Sequence, residues 1–152
     1  MTNDCNHNLC KKSALKEAEK VCEQLGARFT DQRRNVFEIL WQNHKAMTAA
    51  DIMQEMDNKQ PPITYRALEF LKKSGLIHHV TSLNAYVGCI HAKDPNHVGQ
   101  LLICTNCHEI AEIEPKNAVS ELINEAKNQG FTPSLTHIEM LGLCKSCNNT
   151  PN

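Results

Sequence analysis

Residues 89–107 read CIHAKDPNHVGQLLICTNC, a stretch that holds three cysteines and two histidines at an expected boundary between two parts of the chain. It ends in a Cys-x-x-Cys pair, Cys104 and Cys107, and a second pair follows at Cys144 and Cys147. Each such pair forms a tight turn that points two thiolates at one ion, so two pairs predict a tetrahedral four-cysteine zinc site. Four thiolates leave no open position on the metal, which predicts a structural role.

The composition is that of an ordinary globular protein. The 152 residues are 41% hydrophobic and 22% charged, and no apolar run approaches the roughly 20 residues that a bilayer requires. We therefore expect a cytoplasmic protein with no membrane partner, in which eight reduced cysteines serve metal binding. Residues 1–88 carry 12 Lys and Arg against 10 Asp and Glu, and residues 89–152 carry 4 against 7. The first part is therefore the better suited to nucleic acid.

Residues 14–75 show the periodicity of four short helices, each with a capping residue at one end. The capping residues are Gly26, Thr30, Thr48 and Pro61. Residues 76–81 and 85–90 then read as the two strands of a β-hairpin. Helices followed by a hairpin predict a winged helix-turn-helix domain over residues 1–90, in which residues 1–12 form a polar tail.

Residues 91–100 are predicted to be a hinge, and residues 101–152 a second, smaller domain. Two strands flank the first cysteine pair, a helix runs from Pro115 to about Gln129, and one more strand precedes Cys144. Such a β-β-α-β unit leaves a strand edge and an apolar helix face uncovered, which suits a dimer interface. The expected fold class is α+β: a winged helix-turn-helix domain followed by a small α/β dimerisation domain with the four-cysteine zinc site.

Four residues that these elements would bring to the hinge predict a second metal site. His78 lies in the first wing strand and Cys89 at the start of the hinge, while His97 lies near its end and Glu112 in the strand after the first cysteine pair. Nitrogen, oxygen and one thiolate favour Zn²⁺ over Fe²⁺ or Mn²⁺. One ion held by this set would fix the angle between the domains; an ordinary surface role is the alternative for His78 and Glu112. Spare histidines, for which a surface role is favoured, are His79, His91, His108 and His137.

A third group of potential ligands, Cys5-x-His7-x-x-Cys10, lies in the N-terminal tail. It is either an auxiliary metal site completed elsewhere or a frayed tail with incidental thiols. Cys22, on the apolar face of the first helix, is expected to be a core thiol. The prediction is therefore two zinc ions per chain, with a third left open.

The first turn of the fourth helix carries the residues expected to read DNA. Thr64, Tyr65 and Arg66 would lie where a recognition helix meets base edges in the major groove. The expected phosphate contacts, all near the start of the second helix, are Arg28, Arg33 and Arg34. For any single arginine, a solvated surface charge is the alternative.

Residues 28–33 read RFTDQR, residues 61–68 read PPITYRAL, and both accompany the paired Cys-x-x-Cys motifs. From about residue 14 to 147 the chain resembles the ferric uptake regulator (Fur) family, most of all its zinc uptake regulator branch. The resemblance implies a homodimeric, zinc-dependent repressor of metal uptake genes that binds double-stranded operator DNA. It matches the four-cysteine set to the family's structural zinc, the second set to the regulatory zinc of that branch, and Tyr65 and Arg66 to the recognition helix.

Two other functions remain as alternatives. An iron-, manganese- or peroxide-responsive repressor of the same fold is disfavoured by the thiolate of Cys89 and by a hinge that is poor in histidine compared with iron-sensing members. A small zinc hydrolase using His78, His97 and Glu112 would need an open metal position, which Cys89 closes. No HExxH motif is present. The sequence thus predicts neither an enzyme nor a small-molecule substrate.

Overall fold

The structure is a computed structural model and describes residues 7–43, 45–56, 60–90, 92, 98–115, 117–134 and 136–149, with side chains from Lys11 onward. Its helices are α1 (His7–Gln24), α2 (Asp31–Asn43), α3 (Ala49–Glu55), α4 (Pro61–Lys73), α5 (Ala118–Asn128) and α6 (Lys145–Asn148). Its strands are β1 (Ile77–Val80), β2 (Ala85–Gly88), β3 (Gln100–Cys104), β4 (Ile110–Ile113) and β5 (Ile138–Gly142). Within the described residues, none of the helices combines the length and apolar character that a membrane span requires.

The first four helices and the hairpin β1–β2 share one apolar core. Helices α2 and α4 contribute its largest fully buried side chains, among them Phe37, Leu40, Leu68 and Leu71. The hairpin is antiparallel, and a short 3-10 turn at Thr81–Leu83 joins its strands. We call this hairpin with its turn the wing. The arrangement confirms the predicted winged helix-turn-helix architecture.

Local capping chemistry begins and ends these helices as predicted. The Thr48 hydroxyl accepts a hydrogen bond from the Asp51 amide at 3.2 Å, and the Asp51 carboxylate accepts one from the Thr48 amide at 2.9 Å. This closed capping box lowers the pKa of Asp51, because the Thr48 side chain and then its backbone N–H donate to the carboxylate. After α1, Gly26 has a φ of 62°, a left-handed conformation that favours glycine.

Helix α1 begins at His7, seven residues before the predicted start at Ala14. Residues 7–12 are therefore helical and do not form the predicted tail. Most of them are polar, so they give no apolar periodicity from which a helix could be predicted. Lys11 helps to hold this extra turn by an ion pair with Glu38 of α2, at 2.7 Å.

The second half of the chain forms a three-stranded sheet with strand order β4-β3-β5. Strand β3 is antiparallel to β4 and parallel to β5, because α5 carries the chain back before β5 begins. This confirms the predicted β-β-α-β order. None of the α5 residues is buried within a single chain, and Met140 and Leu141 on β5 are about half exposed.

A small second core joins the two halves. Val80 of the wing is fully buried against Leu101 and Ile103 of β3, with Leu83 and Val87 of the wing packed around them. The wing therefore lies against one face of the sheet. Because of this contact, side chains of β1 and β4 that are far apart in sequence meet.

Candidate metal centres and nucleic-acid interface

The four cysteines of the two Cys-x-x-Cys pairs lie together at one end of the sheet. Cys104 ends β3 and Cys107 lies in the turn before β4, whereas Cys144 and Cys147 lie at α6. Their sulfur atoms are all within 4.8 Å of one another, and the Cys107 and Cys144 sulfurs are 3.8 Å apart. Zinc–sulfur bonds of about 2.3 Å give a tetrahedron whose edges are about 3.8 Å. The cluster thus has the dimensions of a four-cysteine zinc site.

The same cluster needs a cation to complete its electrostatics. Backbone N–H groups of Cys107 and Cys144 donate to the Cys104 sulfur and lower the pKa of that thiol to about 6. The Glu109 amide lowers the pKa of Cys107, but the Cys104 side chain, burial and the other thiols raise it further, to about 12. The hydrogen bonds to Cys104 favour its thiolate form, whereas the crowded thiols disfavour ionisation of Cys107 unless positive charge lies nearby. A divalent metal ion supplies that charge.

His78, Cys89 and Glu112 form a second cluster where the wing meets the sheet. Their potential ligand atoms all lie within 4.8 Å of one another. His78 Nε2 is 2.6 Å from Glu112 Oε1, and the Cys89 sulfur is 3.8 Å from the same oxygen. Glu112 Oε2 accepts a hydrogen bond from the Ile90 amide at 2.9 Å. A carboxylate from the second half is thus buried against three groups of the first, since its side chain is only 4% exposed.

Strand alternation decides which of two adjacent histidines enters this cluster. Successive side chains of β1 point to opposite faces, so His78 faces the sheet and His79 faces away from it. His79 Nε2 is 3.2 Å from Asn84 Oδ1, and the His79 ring lies 4.9 Å from the ring of Tyr86. Both of these contacts of His79 lie within the wing.

The second cluster fits a small ion. Two nitrogen or oxygen ligands about 2.1 Å from a tetrahedral zinc stand about 3.4 Å apart, so His78 Nε2 and Glu112 Oε1 need to separate by less than about 1 Å. Gly99 leaves room for the His78 ring, since a Cβ there would lie 2.6 Å from His78 Cε1 and Nδ1. Three of the four predicted ligands are brought together, and His97, the fourth, lies outside the described residues.

Helix α4 presents the predicted recognition residues unequally. Tyr65 is 51% exposed and Arg66 is exposed, on the face of α4 opposite the core. Thr64 is fully buried, and its hydroxyl donates to the Met56 sulfur at 3.5 Å. The assignment of Thr64 to a DNA contact is therefore wrong: in the folded chain it packs α4 against the end of α3.

The three predicted phosphate contacts also differ in their surroundings. Arg28 is exposed, while its carbonyl accepts a hydrogen bond from Arg33. The Arg33 guanidinium stacks over the Phe70 ring, 3.4 Å from its centroid. Arg34 pairs with Glu19 of α1 at 2.6 Å. Arg33 and Arg34 thus join helices of the first half, and contact with phosphate stays a prediction for all three.

Two residues with a role at the second cluster were not among the site residues predicted from the sequence. Some of the predicted site residues, in turn, lie outside the described part of the chain. Glu139 of β5 accepts hydrogen bonds from the wing, and Gly99 admits the His78 ring. Neither has a signal in the sequence, because both depend on how the halves meet. Cys5 lies outside the described residues, and for His7 and Cys10 only the helical backbone is described.

Comparison with known proteins supports the geometry over nearly the whole chain. A model of the ferric uptake regulator family matches residues 24–141. The zinc uptake regulation protein of Escherichia coli (strain K12) is 34% identical over 138 residues, which are 88% of this chain and 80% of that protein.

Solved structures show the same similarity. A zinc uptake regulator complexed with zinc and DNA has a TM-score of 0.84 at 32% identity, covering 91% of this chain and 95% of that one. The crystal structure of holo XcZur has a TM-score of 0.83 at 35% identity, covering 91% and 99%. For apo XcZur the TM-score is 0.51 at 34% identity, covering 91% and 98%.

The range matched by the family model runs from the end of α1 to β5 and includes all three residues of the second cluster. It stops before Cys144, so the complete four-cysteine set comes from the geometry and not from that match. Because sequence and fold agree across both halves, this chain belongs to the ferric uptake regulator family.

Proposed function

We propose that this protein is a zinc-responsive transcriptional repressor of metal uptake genes, which binds operator DNA as a homodimer. The observation that carries the proposal is the second cluster, in which ligand atoms of His78, Cys89 and Glu112 lie within 4.8 Å across the junction of the two halves. A metal site that spans a junction responds to the geometry of that junction, as a sensor must. His97 is the proposed fourth ligand.

The relatives support zinc as the metal. The curated relative at 34% identity is a zinc uptake regulation protein, and one similar solved structure contains both zinc and DNA. The cysteine in the second cluster points the same way, because a thiolate suits Zn²⁺ better than it suits Fe²⁺ or Mn²⁺.

The two clusters have different proposed roles. Cys104, Cys107, Cys144 and Cys147 would hold one zinc in a closed, structural site, which ties the β3–β4 turn to α6. In the second cluster, His78 near the start of β1 and Cys89 just after β2 would be the ligands on the wing side. Glu112 would be the ligand on the sheet. A bound ion would add metal–ligand bonds between these groups, and the wing would then keep one angle to the second half. Two zinc ions per chain follow, with an N-terminal third site still open.

Uncovered apolar surface in the second half supports the homodimer. Helix α5 buries none of its residues within one chain, and β5 is an edge strand. Large apolar side chains that are about half exposed or more in this region are Leu122, Phe131, Met140, Leu141 and Leu143. Pairing of two such surfaces would place two α4 helices at a fixed spacing, and helix-turn-helix dimers read half-sites about 34–36 Å apart.

The domain division and the location are proposals of the same kind. Residues 1–90 would form the DNA-binding domain, 91–100 the hinge and 101–152 the dimerisation domain, although β3 already begins at Gln100. A DNA-binding protein with thiolate ligands would work in the reducing cytoplasm. The family consists of transcriptional regulators, so no catalytic role is proposed.

Metal analysis combined with DNA binding tests the proposal. Zinc per chain is measured before and after mild chelation, and binding is followed by fluorescence anisotropy on DNA selected from a random pool by the zinc-loaded protein. We expect about two zinc ions to fall to about one, with the fold retained and DNA binding lost and then restored by zinc. If both ions leave together and the chain unfolds, the second site is structural and the sensing role fails. If buffered Fe²⁺ or Mn²⁺ restores binding better than zinc, the repressor senses another metal.

Replacing Arg66 with alanine should weaken DNA binding by about 1–3 kcal/mol and relax the preference at one base pair, because an exposed arginine on α4 can grip a guanine edge. Anisotropy on single-base variants of the selected DNA measures both effects. Lys127→Ala removes a charge of the same sign from exposed α5 and should leave binding unchanged. A loss that is equal on all sequences would show that Arg66 contacts a phosphate.

A further inference from the structure

Glu139 of β5 reaches out of the second half and holds the tip of the wing. Its Oε1 accepts a hydrogen bond from the Thr81 amide at 2.6 Å, and its Oε2 accepts one from the Ser82 amide at 3.0 Å. These are the first two amides of the 3-10 turn, and the first N–H groups of such a turn have no acceptor inside it. One carboxylate from the other half therefore satisfies both donors.

The sheet register places this carboxylate beside the metal-ligand carboxylate. Leu101 of β3 is opposite Glu112 on one side and opposite Glu139 on the other. Residues directly opposite each other project from the same face of a sheet, and this is the face that the wing covers. Glu112 reaches His78, and Glu139 reaches Thr81, three residues or about 10 Å further along the wing.

The two attachments have apolar packing between them. Val80 is fully buried against Leu101 and Ile103, so the wing is pressed to the sheet between its two polar contacts. One attachment point would let the wing rotate about it, whereas a second point limits that rotation. Glu139 makes its attachment with backbone amides and needs no metal to do so.

Glu139 is charged at neutral pH. Burial raises the pKa of this carboxyl, but hydrogen bonds from Ser82 and Thr81 lower it more, so that the net pKa is below the ordinary value for glutamate. Hydrogen bonds to a carboxylate are stronger than those between neutral groups. The contact therefore stabilises the position of the wing even though Thr81 and Ser82 are exposed.

We infer that Glu139 is a metal-independent latch, which holds the wing on the second half before the metal binds and so raises the zinc affinity of the site at His78, Cys89 and Glu112. The inference rests on the proposed function and adds a positioning residue to it. Without the latch a smaller fraction of metal-free chains has His78 beside Glu112. Apparent zinc affinity falls by the factor by which that fraction falls.

The test compares variants at both ends of the latch. Glu139→Ala removes the acceptor. Thr81→Pro removes one donor, and it suits the first position of a turn that follows the extended Val80, at φ −87° and ψ 99°. Glu121→Ala is the matched control, since it removes an exposed carboxylate of α5 in the same half. Glu139→Gln keeps one acceptor oxygen without the charge.

Two measurements are made without DNA, on protein whose four-cysteine site is filled. Competition with a chromophoric chelator gives the zinc affinity of the second site, and amide hydrogen exchange at Ser82 in chelated protein reports the latch itself. We expect Glu139→Ala and Thr81→Pro each to weaken zinc binding about five- to thirty-fold and to speed Ser82 exchange. The double variant should be no weaker than the worse single variant, Glu139→Gln should lie in between, and Glu121→Ala should match the original protein.

The latch and the proposed function can fail separately. If Glu139→Ala equals Glu121→Ala in zinc affinity and in Ser82 exchange, or if the two latch variants add fully in the double variant, the latch is refuted while zinc-dependent DNA binding stands. If the unaltered protein binds DNA equally with and without zinc, the sensor proposal fails, and the two DNA-free measurements still decide the latch.

Discussion

Replacing Cys144 with serine should unfold the second half of the chain and remove its tightly held zinc. Cys144 is buried, its amide donates to the Cys104 sulfur at 3.4 Å, and its own sulfur is 3.8 Å from that of Cys107. A serine hydroxyl stays protonated at neutral pH and is a poor zinc ligand, so the ion loses one of four bonds. Because the three short strands bury little apolar surface, we expect folding of this half to depend on metal binding.

We expect zinc content to fall by at least one ion per chain and the unfolding midpoint of the second half to drop by more than about 10 °C. Elemental analysis and thermal circular dichroism measure these changes. Cys22→Ala is the control, since Cys22 is a buried thiol in the core of the first half and belongs to neither metal cluster. It should cost some packing and leave zinc content unchanged. A Cys144→Ser protein that keeps both its zinc and its midpoint would rule out a structural four-cysteine site.

The four-cysteine site could be predicted from the sequence because its geometry is largely local. Cys104 and Cys107 are separated by one turn, and so are Cys144 and Cys147, so each pair is shaped before the two pairs meet. Only the meeting of the two pairs is a tertiary event, and the parallel pairing of β3 with β5 produces it. Helix caps such as that of Thr48 and Asp51 were predictable for the same reason.

The spacing of Thr64 on α4 indicated burial, but the role expected for the start of a recognition helix was given priority. It lies three, four and seven residues before Ala67, Leu68 and Leu71, the spacing of one helix face, and all four are buried. The apolar periodicity of α4 therefore already placed Thr64 in the core. The functional expectation for the start of a recognition helix led to the wrong assignment, whereas Tyr65 and Arg66 fall on the exposed face.

The contact of Glu139 with the wing could not be predicted from the sequence. It is one charged residue in a short apolar strand, and its partners Thr81 and Ser82 are more than fifty residues away. The contact depends on β5 lying parallel to β3 in one register and on the wing covering that face of the sheet. Neither can be read from periodicity or spacing, because both follow from packing of the two halves.

Replacing His78 with alanine should greatly weaken the zinc response of DNA binding while the fold and the zinc of the four-cysteine site remain. The His78 imidazole is the proposed nitrogen ligand on the wing, and its Nε2 lies 2.6 Å from Glu112 Oε1. Loss of groups that only orient a ligand costs about 10- to 100-fold in metal affinity, so loss of the ligand itself should cost more than about 100-fold. The free zinc concentration at half-maximal DNA binding, measured by anisotropy in metal buffers, should rise by at least that factor. Cys89→Ser should act in the same direction.

His79→Ala is a matched control that differs by one position on the same strand. In the described part of the chain its ring contacts Asn84 and Tyr86 of the wing, so its removal should shift the zinc midpoint by less than about threefold. Equal shifts in the two histidine variants would mean that the wing is merely destabilised and that the site assignment is wrong. The two variants should also differ in the coupling between zinc and DNA. In any variant, zinc and DNA must strengthen each other's binding by one common factor. In His79→Ala that factor should persist, and in His78→Ala it should be much smaller, because the proposed site has lost a ligand on the wing.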